Sequence, residues 1–295
     1  METPRTYHIF GQTITTSLSP SIHNAAFAHH HLPYHYTIQE CPSLTAVQHL
    51  IDAPTFGGAS VTMPHKLMAF PLCDSVSDAA THIGAINTLI AETHDGKRIL
   101  KGENTDWRGL FELVHEYSAG PTSPPADGLN VHPGLVIGAG GAARAAVYAL
   151  LQADFARIFI ANRTVATAEA IVRDFAGLAT PNGRRCELVA VGYPISAARE
   201  KGSRPEVVIG TIPGHVVEEK EAEELFRGRK DGLVIEMAYK PRVTGLMRAA
   251  RQAGWTVQDG LEVLLRQGFA QYTLWTGRAA PVEVMRRSII ERESQ

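Results

Sequence analysis

Gly138-Ala139-Gly140-Gly141-Ala142-Ala143 carries the spacing G-x-G-x-x-G/A, with Gly138, Gly140 and Ala143 in the three defining slots. Each slot has a physical duty. Gly138 permits a tight turn from strand to helix. Gly140 has no Cβ, so backbone can approach a pyrophosphate. Ala143 is small enough for the helix to pack close to a sheet. The flanking residues supply the context that separates this motif from a plain glycine-rich turn. Leu135-Val136-Ile137 reads as a buried strand. Ala146, Val147, Leu150 and Leu151 follow at helical spacing, and Arg157–Ala161 reads as a second strand. The helix that begins at the motif points its free N–H groups and its dipole at a bound anion. This order predicts a dinucleotide site built on Gly138, Ala139, Gly140, Gly141 and Ala142.

The end of the second strand decides which dinucleotide. An NAD site usually places Asp or Glu there to hold the ribose 2′-hydroxyl. This chain has Asn162-Arg163-Thr164. Arg163 can pair with a 2′-phosphate and stack on adenine, whereas an acid would repel that phosphate. The alternative is a solvated arginine at a strand end. NADP is therefore expected over NAD. The preference should be modest, with NAD still possible, because Val165-Ala166-Thr167 adds no second positive charge.

A second group of residues could handle a polar substrate. Ser17 and Ser19 sit beside Pro20, which suits the first turn of a helix. One reading makes Ser19 the helix N-cap. The other has both hydroxyls bind a carboxylate at the helix N-terminus, and the two are compatible. Lys66 follows the strand Phe56–Thr62, at the end that faces the ligand crevice in open α/β sheets. It stands where a catalytic cation would, although a surface lysine at a helix start reads the same. Asn87 lies among apolar neighbours in Ile83–Ile90, and a buried asparagine needs partners; a polyhydroxylated substrate could supply them. Asp106 sits in a turn after another strand. His29, His30, His31 and His35 have no accompanying carboxylate or cysteine, so they read as a solvated helix end and no metal is expected.

The elements that must position these residues are legible in outline. Tyr7–Phe10 and Tyr36–Gln39 read as strands, Ser43–Leu50 as a helix. Val207–Ile209 and Leu233–Ile235 are continuous apolar runs, as suits strands covered on both faces. Glu218–Glu224 reads as an exposed acidic helix face. Gly120–Pro133 holds four prolines and reads as a linker near a domain junction. At 295 residues and 44% hydrophobic content, the chain suits two full cores. The formal net charge of −2 gives no field toward nucleic acid or anionic membrane. No apolar stretch is long enough to span a bilayer. The start METPRTYHIF lacks a signal-peptide core. Cys41, Cys73 and Cys186 are odd in number and share no metal spacing, which fits reduced thiols. A cytoplasmic protein is expected.

SLSPSIHN, SVTMPHK, GAINTL and GENTDW, followed by GAGGAARA, NRT, EMAYKP and DGLEVL, resemble the shikimate dehydrogenase family in content and order. The wording is similar to the shikimate dehydrogenase domain of the fungal pentafunctional arom polypeptide and to fungal quinate dehydrogenases. The resemblance runs from about Tyr7 to about Pro281, and the domain would here stand alone.

The resemblance implies an α/β fold with an N-terminal substrate domain and a Rossmann-type NADP-binding domain, separated by a cleft that closes. Residues 1–112, completed by helices in 262–295, would form the first, and 113–261 the second. It implies reversible NADPH-dependent reduction of 3-dehydroshikimate to shikimate, with the cofactor carrying the hydride. Lys66 would manage the proton, and Asp106 would hold Lys66 and the reacting hydroxyl. A lysine base near neutrality needs a lowered pKa, which Asp106 alone would oppose, so desolvation or simple electrostatic stabilisation must enter. Ser17 and Ser19, with Tyr239 nearby, would bind the carboxylate. Thr62, Asn87, Asp106 and Gln267 would bond ring hydroxyls. Thr211 belongs to a loop near the nicotinamide, and Asn162, Arg163, Thr164 and Gly260 join the cofactor site.

Two rivals remain. A quinate or dual-specific dehydrogenase would use NAD or NADP. A non-catalytic sensor of shikimate or quinate would resemble the family domains in fungal regulators of quinate use. Intact Lys66 and Asp106, and no added DNA-binding segment in these 295 residues, favour the enzyme. Small-molecule substrate, no nucleic-acid or membrane partner, and a monomer or homodimer are expected.

Overall fold

The computed structural model describes residues 2–119, 133–195, 198, 204–228 and 231–293. Residues 120–132 of the proline-rich linker lie outside them. The chain forms two compact units, Met1–Asp106 with Leu264–Gln295, and Trp107–Val263. Each carries one six-stranded sheet.

In the first unit the strands are β1 (Arg5–Gly11), β2 (Tyr34–Glu40), β3 (Phe56–Val61), β4 (Ser75–Val76), β5 (Thr88–His94) and β6 (Lys97–Glu103). Their order is β2-β1-β3-β5-β6-β4. β1 pairs in parallel with β2 and β3, while β5 is antiparallel to both β3 and β6. All six residues of β3 are buried, as expected for a central strand covered on both faces. Phe10, Val61, Ala69, Ile86 and Leu89 share a core on one face. The opposite face takes the helices Ser19–His29 and Gly260–Thr276. Gly58 lets the second of these approach, since a Cβ there would meet Trp275 Nε1 at 2.5 Å, while a Cβ on Gly57 would meet the ring of Tyr7 in β1 at 2.5 Å. Trp275 Nε1 donates to the Leu89 carbonyl at 2.9 Å.

In the second unit β7 (Gly134–Ile137), β8 (Arg157–Ala161), β9 (Glu187–Val191), β10 (Val207–Gly210), β11 (Leu233–Glu236) and β12 (Thr256–Gln258) run in the order β12-β11-β10-β7-β8-β9, every pairing parallel. Counted from β7, this is the doubly wound order 3-2-1-4-5-6. Strands β7, β10 and β11 are buried throughout. Each fully buried Val, Leu or Ile there contributes about 1.5–3 kcal/mol, so the apolar runs fix these strands in the middle.

Several local expectations changed. The helix begins at Ser19, with Leu18 and not Ser19 as its N-cap, and the Ser17 hydroxyl accepts from the Ser19 N–H. Leu18 is helical in φ and ψ, so the turn starts one residue early. The segment Ser43–Leu50 divides into a 3₁₀ turn, Leu44–Val47, and a short α-helix, Gln48–Ile51. Ser43 Oγ accepts from the Ala46 N–H at its start. Asp106 opens the helix Asp106–Ala119 rather than lying in a turn. The acidic run forms Glu219–Phe226 and is not simply solvated: Glu219 accepts from Arg248 and Gln252, and Glu221 accepts from the Ile195 N–H.

Candidate active site

In the first unit, β3 delivers the chain to Thr62 and then to a 3₁₀ turn, His65–Leu67, which carries Lys66. The turn is held on three sides. The His65 N–H donates to the Thr62 carbonyl, the His65 ring bonds the Cys41 carbonyl at 2.9 Å, and the Ile86 N–H donates to the Lys66 carbonyl at 2.9 Å. Asp106 arrives from β6 through Glu103-Asn104-Thr105. Its N–H donates to Asn104 Oδ1, and Asn104 Nδ2 donates to the Ala85 carbonyl. Lys66 Nζ then lies 2.6 Å from Asp106 Oδ2, with side chains only 15% and 6% exposed. A lysine N–H held by a buried carboxylate can exchange a proton with a substrate oxygen placed beside it.

Asn87 is 2% exposed. The sequence left its partners to a substrate; the fold itself supplies most of them. Asn87 Oδ1 accepts from the Thr105 N–H at 2.7 Å and from Thr88 Oγ1 at 2.7 Å, and Nδ2 donates to Thr105 Oγ1 at 3.0 Å. The physical reason is sheet pairing, which sets Thr88 opposite Glu103 and brings the two loops together. Thr62 is half-buried at the end of β3, and its Cγ2 occupies the space that a Cβ on Gly11 would need.

Ser17 Oγ accepts from the Ser19 N–H at 3.3 Å, and Ser19 is buried. Gln267 is buried on the helix Gly260–Thr276, where Nε2 donates to the Leu264 carbonyl at 2.7 Å. Tyr239 belongs to the second unit, on the segment after β11. Sequence reading passed over Tyr36, Ser60, Thr88, Thr105 and Gln271, which form one buried hydrogen-bonded group around Asn87. The available signal was a serine inside the otherwise apolar β3 and a glutamine one helical turn after Gln267. Among the described residues no group of three His, Cys, Asp or Glu is placed to hold a metal ion. His30 bonds Tyr272 instead, through its ring Nδ1.

In the second unit, β7 ends at Gly138, whose φ of +118° is open to glycine and strained for other residues. A Cβ there would also sit 2.4 Å from Thr211 Oγ1. Thr211 follows β10, and both its N–H and its hydroxyl donate to the Ile137 carbonyl, at 3.0 and 2.8 Å. Gly138 and Thr211 thus flank the point where strand order reverses, the ligand crevice of doubly wound sheets. Gly140 is the N-cap of the helix Gly141–Gln152, without a side-chain cap, and nothing lies within 4 Å of where its Cβ would be. Ala139 is half-buried and Ala142 lies in the first turn. Uncapped N–H groups beside open space on a glycine fit a pyrophosphate.

Asn162 Nδ2 donates to the Thr164 carbonyl at 2.9 Å, holding the turn after β8. Thr164 caps the helix Val165–Phe175 by position but not by side chain, and Arg163 is exposed beside it. Gly260 has a separate explanation: a Cβ would lie 2.7 Å from the Ala238 carbonyl. Close backbone packing requires that glycine whether or not a cofactor binds. Sequence reading gave no role to Glu236 at the end of β11. It is buried, accepts from the Ala238 N–H and Thr244 Oγ1 at 3.0 Å each, and burial raises its carboxyl to about 7.

Comparisons with known proteins agree with both halves of this picture. Residues 9–89 match the shikimate dehydrogenase substrate binding domain, 126–183 match shikimate / quinate 5-dehydrogenase, and 260–290 match the shikimate 5′-dehydrogenase C-terminal domain. A shikimate 5-dehydrogenase of known structure from Mycobacterium fortuitum is 30% identical, with 98% of each chain covered and a TM-score of 0.76. The chain belongs to the shikimate dehydrogenase family. Another family structure, from Thermus thermophilus in complex with NADP(H) and shikimate, is 27% identical over 97% of this chain and 99% of that one, with a TM-score of 0.75. Two curated fungal relatives are each 35% identical over 98% of this chain: the quinate repressor protein of Emericella nidulans and the pentafunctional AROM polypeptide of Schizosaccharomyces pombe. This chain spans only 35% and 18% of their respective lengths. The fold is the family's α/β arrangement, with a Rossmann-type sheet in the second unit. No helix among the described residues is long and apolar enough to cross a membrane.

Proposed function

We propose that this shikimate dehydrogenase family member is an NADP-linked enzyme that interconverts 3-dehydroshikimate and shikimate in the cytoplasm. The observation that carries the reading is the buried Lys66–Asp106 pair at 2.6 Å. NADPH supplies the hydride. Its pyrophosphate would be held by the backbone of Gly138 to Ala142 at the helix N-terminus, and its 2′-phosphate by Arg163 with Asn162 and Thr164. Thr211 lines the nicotinamide side of the switch point.

In the reduction, Lys66 Nζ gives a proton to the substrate oxygen as the carbonyl becomes an alcohol. In the oxidation it takes that proton back. Asp106 keeps the Nζ protons aimed and accepts a bond from the reacting hydroxyl. Ser17 and Ser19 bind the carboxylate. Thr62, Asn87 and Gln267 bind ring hydroxyls. The test is a steady-state matrix of shikimate and quinate with NADP and NAD. Turnover fastest with shikimate and NADP supports the reading; fastest turnover of quinate moves the assignment to a quinate dehydrogenase.

A second reading, a sensor that binds shikimate or quinate without turnover, is favoured by the quinate repressor relative, which matches 98% of this chain. Binding without turnover under any of the four conditions would establish it.

A further inference from the structure

The buried hydrogen bonds around Asn87 have a defined direction, and two backbone groups set it. Gln271 Nε2 faces the Asn87 carbonyl at 3.3 Å, and a carbonyl only accepts, so the atom there is the amide nitrogen. Gln271 Oε1 therefore faces Ser60, whose hydroxyl donates to it at 2.9 Å. Tyr36 Oη then donates to Ser60 Oγ at 2.7 Å. On the other side, Gln271 Nε2 donates to Thr88 Oγ1 at 3.0 Å. The Thr88 proton goes on to Asn87 Oδ1 at 2.7 Å. The second fixed group is the Thr105 N–H, which can only donate and meets the same Oδ1 at 2.7 Å. Asn87 Oδ1 is thus occupied by these two donors, with the Thr105 hydroxyl also at 3.3 Å, and the donor atom Nδ2 is left for outside partners beyond Thr105 Oγ1.

Gln271 holds Asn87 twice, at its backbone carbonyl and, through Thr88, at its side chain. It reaches there from the helix Gly260–Thr276, 184 residues away in sequence. Gln267 lies one turn earlier on the same helix face. Thr105, which shares the group, is the residue before Asp106.

We propose that Gln271 is a positioning residue: it fixes Asn87 so that the amide meets a substrate ring hydroxyl as a donor, through the second N–H of Nδ2. This rests on the shikimate reading above. It assigns Gln271 no contact with substrate.

The test uses the full chain and three variants. Gln271→Met keeps length and removes the amide. Thr88→Val breaks the relay one link further on and leaves the helix untouched. Thr88→Ser keeps the hydroxyl. Two readouts are taken. Hydrogen exchange of the Thr105 N–H, normalised to the β1 amides, reports the grip on Asn87 Oδ1 without any ligand. Steady-state kinetics report KM for shikimate, KM for NADP and kcat. Expected for Gln271→Met and Thr88→Val are Thr105 exchange faster by at least about tenfold and a shikimate KM raised about tenfold, in the range of a bond lost to a neutral group. KM for NADP should hold, and Thr88→Ser should restore both readouts. Lowered thermal stability with unchanged shikimate KM would show a merely structural role and overturn the proposal, as would unchanged Thr105 exchange. Wild-type protein that neither binds nor turns over shikimate would sink the function, a result that the exchange measurement keeps separate from failure of the relay.

Discussion

Lys66 and Asp106 come from strands that are not neighbours, β3 and β6, with β5 between them, yet Nζ and Oδ2 meet at 2.6 Å. The Ile86 N–H bonds the Lys66 carbonyl, and the Asn87 N–H bonds the Glu103 carbonyl, so the segment before β5 ties both loops. This is a pair held from its backbone, not two long side chains meeting in solvent.

If Lys66 manages the proton, Lys66→Ala should lower kcat roughly 10²–10⁴-fold, the usual range for a general acid or base. KM for shikimate should change less. Asp106→Asn keeps the shape, lowers kcat, and raises KM through its lost ring-hydroxyl bond. The double variant should be no slower than Lys66→Ala alone, because the two act as a unit. Fully additive losses in steady-state assays would contradict the pairing.

Arg163 is exposed, and the proposed 2′-phosphate contact makes it a test of cofactor choice. Arg163→Ala should raise KM for NADP and leave KM for NAD nearly unchanged. Equal effects on both cofactors would remove the 2′-phosphate role.

Ser17→Ala and Ser19→Ala should each weaken shikimate binding by about 1–3 kcal/mol, the cost of a bond lost to a charged group. The Ser17 hydroxyl accepts from the Ser19 N–H at the start of the helix Ser19–His29, so Ser17→Ala should also lower the melting temperature, whereas Ser19→Ala should leave it near wild type; calorimetry shows the weaker binding in both. A drop in melting temperature with intact affinity would reverse this assignment.

Two buried groups set opposite pH slopes of stability. Burial raises Glu236 to about 7 from its ordinary 4.5, against hydrogen bonds from Ala238, Thr244 and Met237 that oppose the rise. Its contribution is full below pH 4.5 and lost as pH climbs through 7. Burial pushes the His23 imidazole down to about 3 from 6.5, only partly offset by Gln271. That contribution is full above pH 6.5 and lost as pH falls toward 3. The slopes cancel between pH 4.5 and 6.5. Glu236→Gln removes one of them, so the stability of the variant relative to wild type should rise by ~3 kcal/mol from pH 4.5 to 8. Urea midpoints at the two pH values read this directly, and an equal difference at both would refute it.

Some of this protein was written locally. Gly134–Ala161 folds as its residues dictate, because strand, positive-φ glycine, helix and strand each follow from neighbours a few residues apart. The buried runs of β10 and β11 likewise needed no partner to be recognised. The lack of an acid at Arg163 was a matter of one residue's charge. Even the order of motifs sufficed to point to the family.

Tertiary structure decided the rest. That Lys66 meets Asp106, that Thr105 and not only a substrate satisfies Asn87, and that Gln271 grips Asn87 from the far end of the chain all depend on the order β2-β1-β3-β5-β6-β4. No periodicity within one element encodes which strand lies beside which. That the Ala238 carbonyl lies against Gly260, and that burial raises the Glu236 carboxyl, follow from packing and not from the local sequence. Leu18 rather than Ser19 stands at the N-cap, with the Ser17 hydroxyl on the Ser19 N–H. Sequence sets the chemical type of each group and its local conformation; distance, burial and hydrogen-bond direction arise only when separate segments are packed against one another.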